Sequence, residues 1–205
     1  MKIYLATDHA GFEMKEAIRL FLENEKENLL KEMEKKLSLV IPEIQFVDFG
    51  AYKYEKGDDY PKYIGVCAGQ LSGDIYAGDK NNFAIVFGGS GEGEAMLSDK
   101  YQGVRAGVIN CENLEIVKLL REHNNANILS LGARFVGLDF AKEAVKLFLT
   151  TKFLEKEKDT NQETRHGRRV EEITDLENKI NSKINSDEIQ GLQELEKMRQ
   201  RFADY

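Results

Sequence analysis

The chain has 205 residues, 41% of them hydrophobic and 32% charged, and a formal net charge of −7. That length suits one well-buried core with an appendage and is short for two full-sized catalytic domains. The acidic balance speaks against a nucleic-acid surface, which needs a concentrated basic face, and no apolar run approaches the roughly 20 residues of a membrane span.

The N-terminal stretch Met1 to Asp8 turns polar after a few apolar residues and lacks the hydrophobic segment of a signal peptide, so a cytoplasmic protein is expected. Strand candidates are Ile3 to Ala6, Ile44 to Phe49, Phe83 to Phe87, Val104 to Ile109 and Ile128 to Leu131. Between them the apolar spacing turns helical, at about Phe12 to Leu37, Pro61 to Leu71, Glu92 to Asp99, Leu114 to Glu122 and Leu138 to Leu149. Strands separated by helices imply parallel pairing with right-handed crossovers. The first helix is expected to be long, with Ile18, Leu22, Leu29, Met33 and Leu37 on one face until Pro42 interrupts. After Phe153 the composition shifts to charged and polar residues, followed by two amphipathic helices. Val170, Ile173, Leu176 and Ile180 mark the first; Ile189, Leu192, Leu195, Met198 and Phe202 mark the second. These predict an α/β domain over residues 1–155 and an arm over 156–205 that packs on the core or on a partner subunit.

In a parallel sheet of this kind ligands bind outside the carboxyl ends of the strands, so the loops that follow strands carry the chemistry. Gly88, Gly89, Gly91 and Gly93 allow close backbone approach, and a helix opening near Glu92 offers free N–H groups. This is an oxyanion or phosphate site, or else a tight turn; it is neither a Walker A loop nor a complete G-x-G-x-x-G. Asp8-His9, ending the first strand, suits proton traffic or sugar hydroxyls, with helix capping as the alternative. His123-Asn124 offers an acid and an amide reader of hydroxyls, though helix C-termini also favour these residues. Arg165 and Arg169, spaced i, i+4 around His166, offer forked donors to a phosphate, or form a solvated basic patch. The chain has three histidines, and all fall in these segments. Cys67 and Cys111 form neither a C-x-x-C pair nor a zinc spacing and read as bland thiols.

The segments ATDHAGFEMKEAI, DYP, GGSGEGEAMLSDK, GVRAGV, REHNNANILSLGARFVG and RHGRRVEEI occur in this order. Together they resemble the ribose-5-phosphate isomerase B family, which includes the galactose-6-phosphate isomerase subunits, from Met1 to about Ile173. The resemblance implies a Rossmann-like three-layer α/β/α sandwich on a five-stranded parallel sheet. It implies an aldose–ketose isomerase that needs neither metal nor cofactor and interconverts ribose 5-phosphate and ribulose 5-phosphate through an enediolate. A six-carbon sugar phosphate such as allose or galactose 6-phosphate is the alternative substrate, and a non-catalytic sugar-phosphate-binding subunit the alternative role. Active sites are expected to be shared across a homodimer, or within a tetramer.

By the same resemblance Asp8 assists ring opening, His9 lies near the phosphate and Tyr60 lines the site. The amides of Gly89, Ser90, Gly91, Glu92 and Gly93 hold the enediolate, His123 opens the ring beside Asn124, and Arg134, Arg165 and Arg169 bind phosphate. His123, Asn124 and Arg134 are expected from the opposite subunit. Many members carry a cysteine base immediately before a Gly-Thr-Gly-Ile-Gly loop, where this chain has Gly88. A second branch reads Gly-Gly-Ser-Gly-Asn-Gly-Glu with the glutamate as base, and the chain follows it at Glu94. Glu92 is expected to face solvent, with a supporting polar contact as the alternative.

Overall fold

The computed structural model describes residues 1–157 and 162–202, with side chains described as far as residue 183. In chain order the elements are β1 (Lys2–Thr7), α1 (Phe12–Asn24), α2 (Lys26–Leu37), β2 (Gln45–Asp48), α3 (Pro61–Tyr76), β3 (Phe83–Gly88), α4 (Glu92–Ser98), β4 (Ala106–Ile109), α5 (Leu114–Glu122), β5 (Ile128–Gly132), α6 (Leu138–Thr150) and α7 (Arg165–Phe202). All five strands are parallel, in the order β2-β1-β3-β5-β4. Parallel strands covered on both faces read as unbroken apolar runs, as β3 does in Phe83 to Phe87, every residue of it buried.

Alternation along the strands divides the core in two. Ile3, Leu5, Phe83, Ile85 and Phe87 pack with Ile18, Leu22, Leu29, Met33, Val145 and Phe148 from α1, α2 and α6. Tyr4, Ala6, Ala84 and Val86 face Ile64, Cys67, Ala68 and Leu71 of α3 on the other side. The result is the three-layer sandwich that the alternating elements imply.

Two helical expectations change. The long first helix divides at Glu25, whose φ of −93° and ψ of 4° interrupt the helix without glycine or proline. Glu25 still donates its N–H to Phe21 and accepts from Leu29, at 3.0 and 2.8 Å, so the break costs little hydrogen bonding and keeps both apolar stripes on one core. The two C-terminal helices are one, because the polar stretch between the two apolar patterns holds no glycine or proline to stop it. The side chains of the second pattern, Ile189 to Phe202, lie outside the described residues. Near its start α7 is tied to the body by Glu177 at the Gly103 N–H, 3.0 Å, and by Asn178 at Gln102, 3.0 Å. Ile173, Leu176 and Ile180 are exposed rather than packed on the core.

The sheet order reverses direction between β1 and β3, so the loops after these two strands open a crevice at the same edge. Pairing of Leu5 with Ile85 and of Thr7 with Phe87 sets both loops at one level. The loop after β2 is drawn to the same edge: Thr7 donates to Gly50 at 2.7 Å and accepts from Ala51 at 2.8 Å. Lys15, fully buried on α1, holds that loop down through Asp48 at 2.6 Å and the Ala51 carbonyl at 2.8 Å. Lys15→Ala leaves Asp48 without its cation and is expected to destabilise the fold by about 2–3 kcal/mol, below the full cost of breaking a buried pair because Asp48 keeps some water. Chemical denaturation of the variant measures this.

Candidate active site

The crevice is floored by the loop Gly88-Gly89-Ser90-Gly91, which turns the chain from β3 into α4. The turn requires Gly91, whose φ is +80°, and Ser130 on β5 pins it by donating Oγ–H to the Gly91 carbonyl at 2.6 Å. One turn later Glu94 points back over the loop. A Cβ on Gly88 would lie 2.0 Å from Glu94 Cδ and 2.0 Å from Oε1, so the carboxyl group occupies the volume a side chain at position 88 would need. Glu94 is only 4% exposed. Burial pushes its carboxyl above the ordinary range, its own backbone N–H pulls the other way, and the charge of Asp8 adds to the rise.

Asp8, 7% exposed, leaves β1 facing this group and accepts the Ala10 N–H at 2.8 Å, which orients it across the crevice. That bond is the capping-like contact weighed from sequence, and it coexists with a place in the site. His9 binds Asp58 in the loop after β2, through its backbone N–H at 2.8 Å and through Nδ1 at 2.8 Å. Asp8, His9 and Asp58 are the three groups among the described residues whose ligand atoms gather within 4.8 Å, a spacing that could hold a metal ion. Tyr60 closes the far side; a Cβ on Gly93 would sit 2.9 Å from its ring. Glu92 is exposed as expected and has the supporting contact as well, accepting from Asn110 Nδ2 at 2.9 Å.

Arg134 corrects one expectation. Residues after β5 bond back to the glycine loop, Ala133 N–H to Gly88 at 2.8 Å and Arg134 N–H to Gly89 at 3.1 Å. The Arg134 guanidinium therefore lies 3.1 Å from where a Gly89 Cβ would be, within one chain, and is not delivered by another subunit.

His123 and Asn124 are elsewhere. A helix that follows a parallel strand runs back, so the C-terminus of α5, capped by His123, lies at the edge of the sheet opposite the crevice. There the His123 ring stacks on His166 of α7, centroids 3.9 Å apart. Arg165 and Arg169 lie on the same helix as His166, at the i, i+4 spacing read from sequence. Desolvation and then the charges of His123, Arg165 and Arg169 push the His166 imidazole below its ordinary value. The chain thus carries two clusters at opposite edges: Asp8, His9, Tyr60, the glycine loop, Glu94 and Arg134 at one, and His123, Asn124, Arg165, His166 and Arg169 at the other. Cys67 is buried and Cys111 exposed, both free thiols, and neither occupies position 88. Asp58 is the site residue that sequence reading missed; the DYP motif beside it was the available signal.

Residues 3–173 match the ribose/galactose isomerase family. The chain is 31% identical over 177 residues to ribose-5-phosphate isomerase B of Mycolicibacterium paratuberculosis, covering 86% of this chain and 92% of that one. It is 30% identical over 180 residues to the protein of that name from Escherichia coli, covering 88% and 99%. The crystal structure of ribose-5-phosphate isomerase B from Mycoplasma genitalium with bound ribulose-5-phosphate superposes with a TM-score of 0.67 at 28% identity, covering 86% of this chain and 96% of that one. The Clostridium thermocellum enzyme superposes with a TM-score of 0.67 at 31% identity, covering 88% and 99%. The chain belongs to the ribose/galactose isomerase family, and the match takes in the first nine residues of α7. Among the described residues no helix is long and apolar enough to cross a membrane.

The raised Glu94 carboxyl fixes the sign of a stability effect. Folding favours its protonated form, so the cost of the charged form is absent below the unfolded value, about pH 4, grows as the pH rises through the folded value and is constant above it. Glu94→Gln is expected to raise Tm at pH 7.5 and to leave it unchanged below about pH 4, measurable by differential scanning fluorimetry across pH.

Proposed function

We propose that the protein interconverts ribose 5-phosphate and ribulose 5-phosphate, with Glu94 as the base. The observation that carries this reading is the Glu94 carboxyl held over Gly88, buried, raised above its ordinary value by that burial, and beside the loop amides. In relatives with a cysteine at the position of Gly88, that thiol and this carboxyl would claim the same volume, so either can serve as the one base.

Isomerisation needs a base that faces two adjacent carbons. In the open-chain aldose Glu94 takes the proton from C2, the electrons form the C1–C2 double bond, and negative charge builds on the C1 oxygen. The N–H groups of Gly89, Ser90, Gly91, Glu92 and Gly93 line the turn where that charge develops. Glu94 then returns the proton at C1, the O2 hydroxyl proton passes to O1, and the ketose results. Burial that raises a carboxyl makes it a stronger base once it is ionised, which suits proton abstraction. The residues supply the chemistry without a metal.

Ring opening and phosphate binding belong to the second cluster. His123 acts with Asp8 on the furanose, Asn124 reads hydroxyls, and Arg165 and Arg169 hold the phosphate together with Arg134 and His9. Their position at the opposite edge supports a homodimer in which the clusters of two copies complete each site. Residues 156–205 are the arm that brings the arginines there.

Glu94→Gln is expected to lower kcat for ribose 5-phosphate by about 100- to 10,000-fold in a coupled assay, and Gly88→Ala, by displacing the carboxyl, by a comparable amount. Wild-type turnover by folded Glu94→Gln rejects this base, and the same assay on six-carbon phosphates fixes the substrate. Remixing unfolded Glu94→Gln and His123→Ala chains is expected to restore roughly one quarter of wild-type activity, because half of the dimers are mixed and each has one intact site. No recovery would place both residues in a single chain's site.

A further inference from the structure

We propose that Asp58 is a positioning residue of the sugar-phosphate site: its carboxylate fixes the His9 imidazole through Nδ1 and leaves Nε2–H for the anionic end of the substrate. This rests on the isomerase reading for what Nε2 meets, but the Asp58–His9 pair stands on its own geometry.

One carboxylate oxygen, Asp58 Oδ1, accepts both N–H groups of His9, the backbone at 2.8 Å and ring Nδ1 at 2.8 Å. The first fixes the main chain where β1 ends, the second the ring, so neither the loop nor the side chain can turn without losing a bond. Because a carboxylate only accepts, Nδ1 must carry a proton, and Nε2 is the nitrogen left for a ligand. The Asp58 side chain is 7% exposed and that of His9 26%, which puts the acid behind the imidazole and the imidazole at the crevice. The adjacent acid behaves differently: the Asp59 side chain is 73% exposed and lies 3.7 Å from Lys62 on the surface. Of the two acids before Tyr60, only Asp58 turns inward.

The surroundings favour the charged ring. The Asp58 hydrogen bond is the largest influence raising the His9 value; burial opposes it, and Asp8, whose Oδ2 is 3.9 Å from Nδ1, adds to the rise. The Asp58 carboxyl is pushed up by burial, but the two His9 N–H groups and Tyr63 of α3 hold it below its ordinary value. Tyr54 meets the ring edge-on, centroids 6.4 Å apart, Glu55 acts on Tyr63, and Glu94 faces the pair through Asp8. These neighbours are acids and phenols, so an imidazolium here is stabilised before any phosphate arrives. A partly buried cation then meets a dianion, where charge-assisted hydrogen bonds are strong.

The test uses full-length Asp58→Asn and Asp58→Glu. Asn keeps an oxygen for both N–H groups and removes the charge; Glu keeps the charge. In Asp58→Asn the His9 ring, one of three histidines to assign, should titrate at lower pH by NMR. KM for ribose 5-phosphate at pH 7.5 should rise roughly 10-fold with kcat within about two-fold, the loss of one charge-assisted hydrogen bond. The KM difference should close toward about pH 5.5, where the imidazole is protonated in both proteins, and Asp58→Glu should recover most of the effect. An unmoved His9 titration overturns the proposal, as does a KM increase of the same size at every pH. If the wild-type protein turns over neither five- nor six-carbon phosphates, the isomerase reading falls, and the NMR titration alone decides the pair.

Discussion

The structure depends on where a parallel sheet changes direction. β1 is the first strand, β2 is laid to one side of it and β3 to the other, so the loops leaving β1 and β3 have no crossover between them. A right-handed connection cannot fill that gap, and the backbone groups there stay free for a ligand. Everything assigned to chemistry in the first cluster is hung from that gap: Asp8 and His9 from one side, the glycine turn and Glu94 from the other. Lys15 and Thr7 draw the loop after β2, with Asp58, against the same edge.

Charge in the crevice is arranged against its ordinary cost. Glu94 and Asp8 are buried near each other and repel, which no folding requirement explains. Across the molecule the His123 and His166 rings stack beside Arg165 and Arg169, and desolvation, followed by those neighbouring charges, favours the neutral form of His166. Local electrostatic conflict at a site is the expected signature of function.

Much of this could be read from sequence, for a definite reason. Buried parallel strands are unbroken apolar runs, so β1, β3 and β5 were found within a residue or two, and the order of loops followed from the crossover rule. Arg165 and Arg169 were paired by helical period alone. What stayed hidden depends on direction. Asp58 and Asp59 are identical in sequence terms, and only the turn into α3 decides which faces His9. The resemblance alone put Arg134 in another subunit; its bonding to Gly89 within the chain depends on the register of Gly88 with Gly132, which no local pattern encodes. The break at Glu25 left no glycine or proline to mark it.

The exclusion at Gly88 also ties two positions of the site together. A Cβ at 88 would lie 2.0 Å from the Glu94 carboxyl carbon in its present place, so any residue larger than glycine there makes the carboxyl swing aside. Position 88 therefore acts as a steric set-point for position 94, and a change at one is felt first as a reorientation at the other.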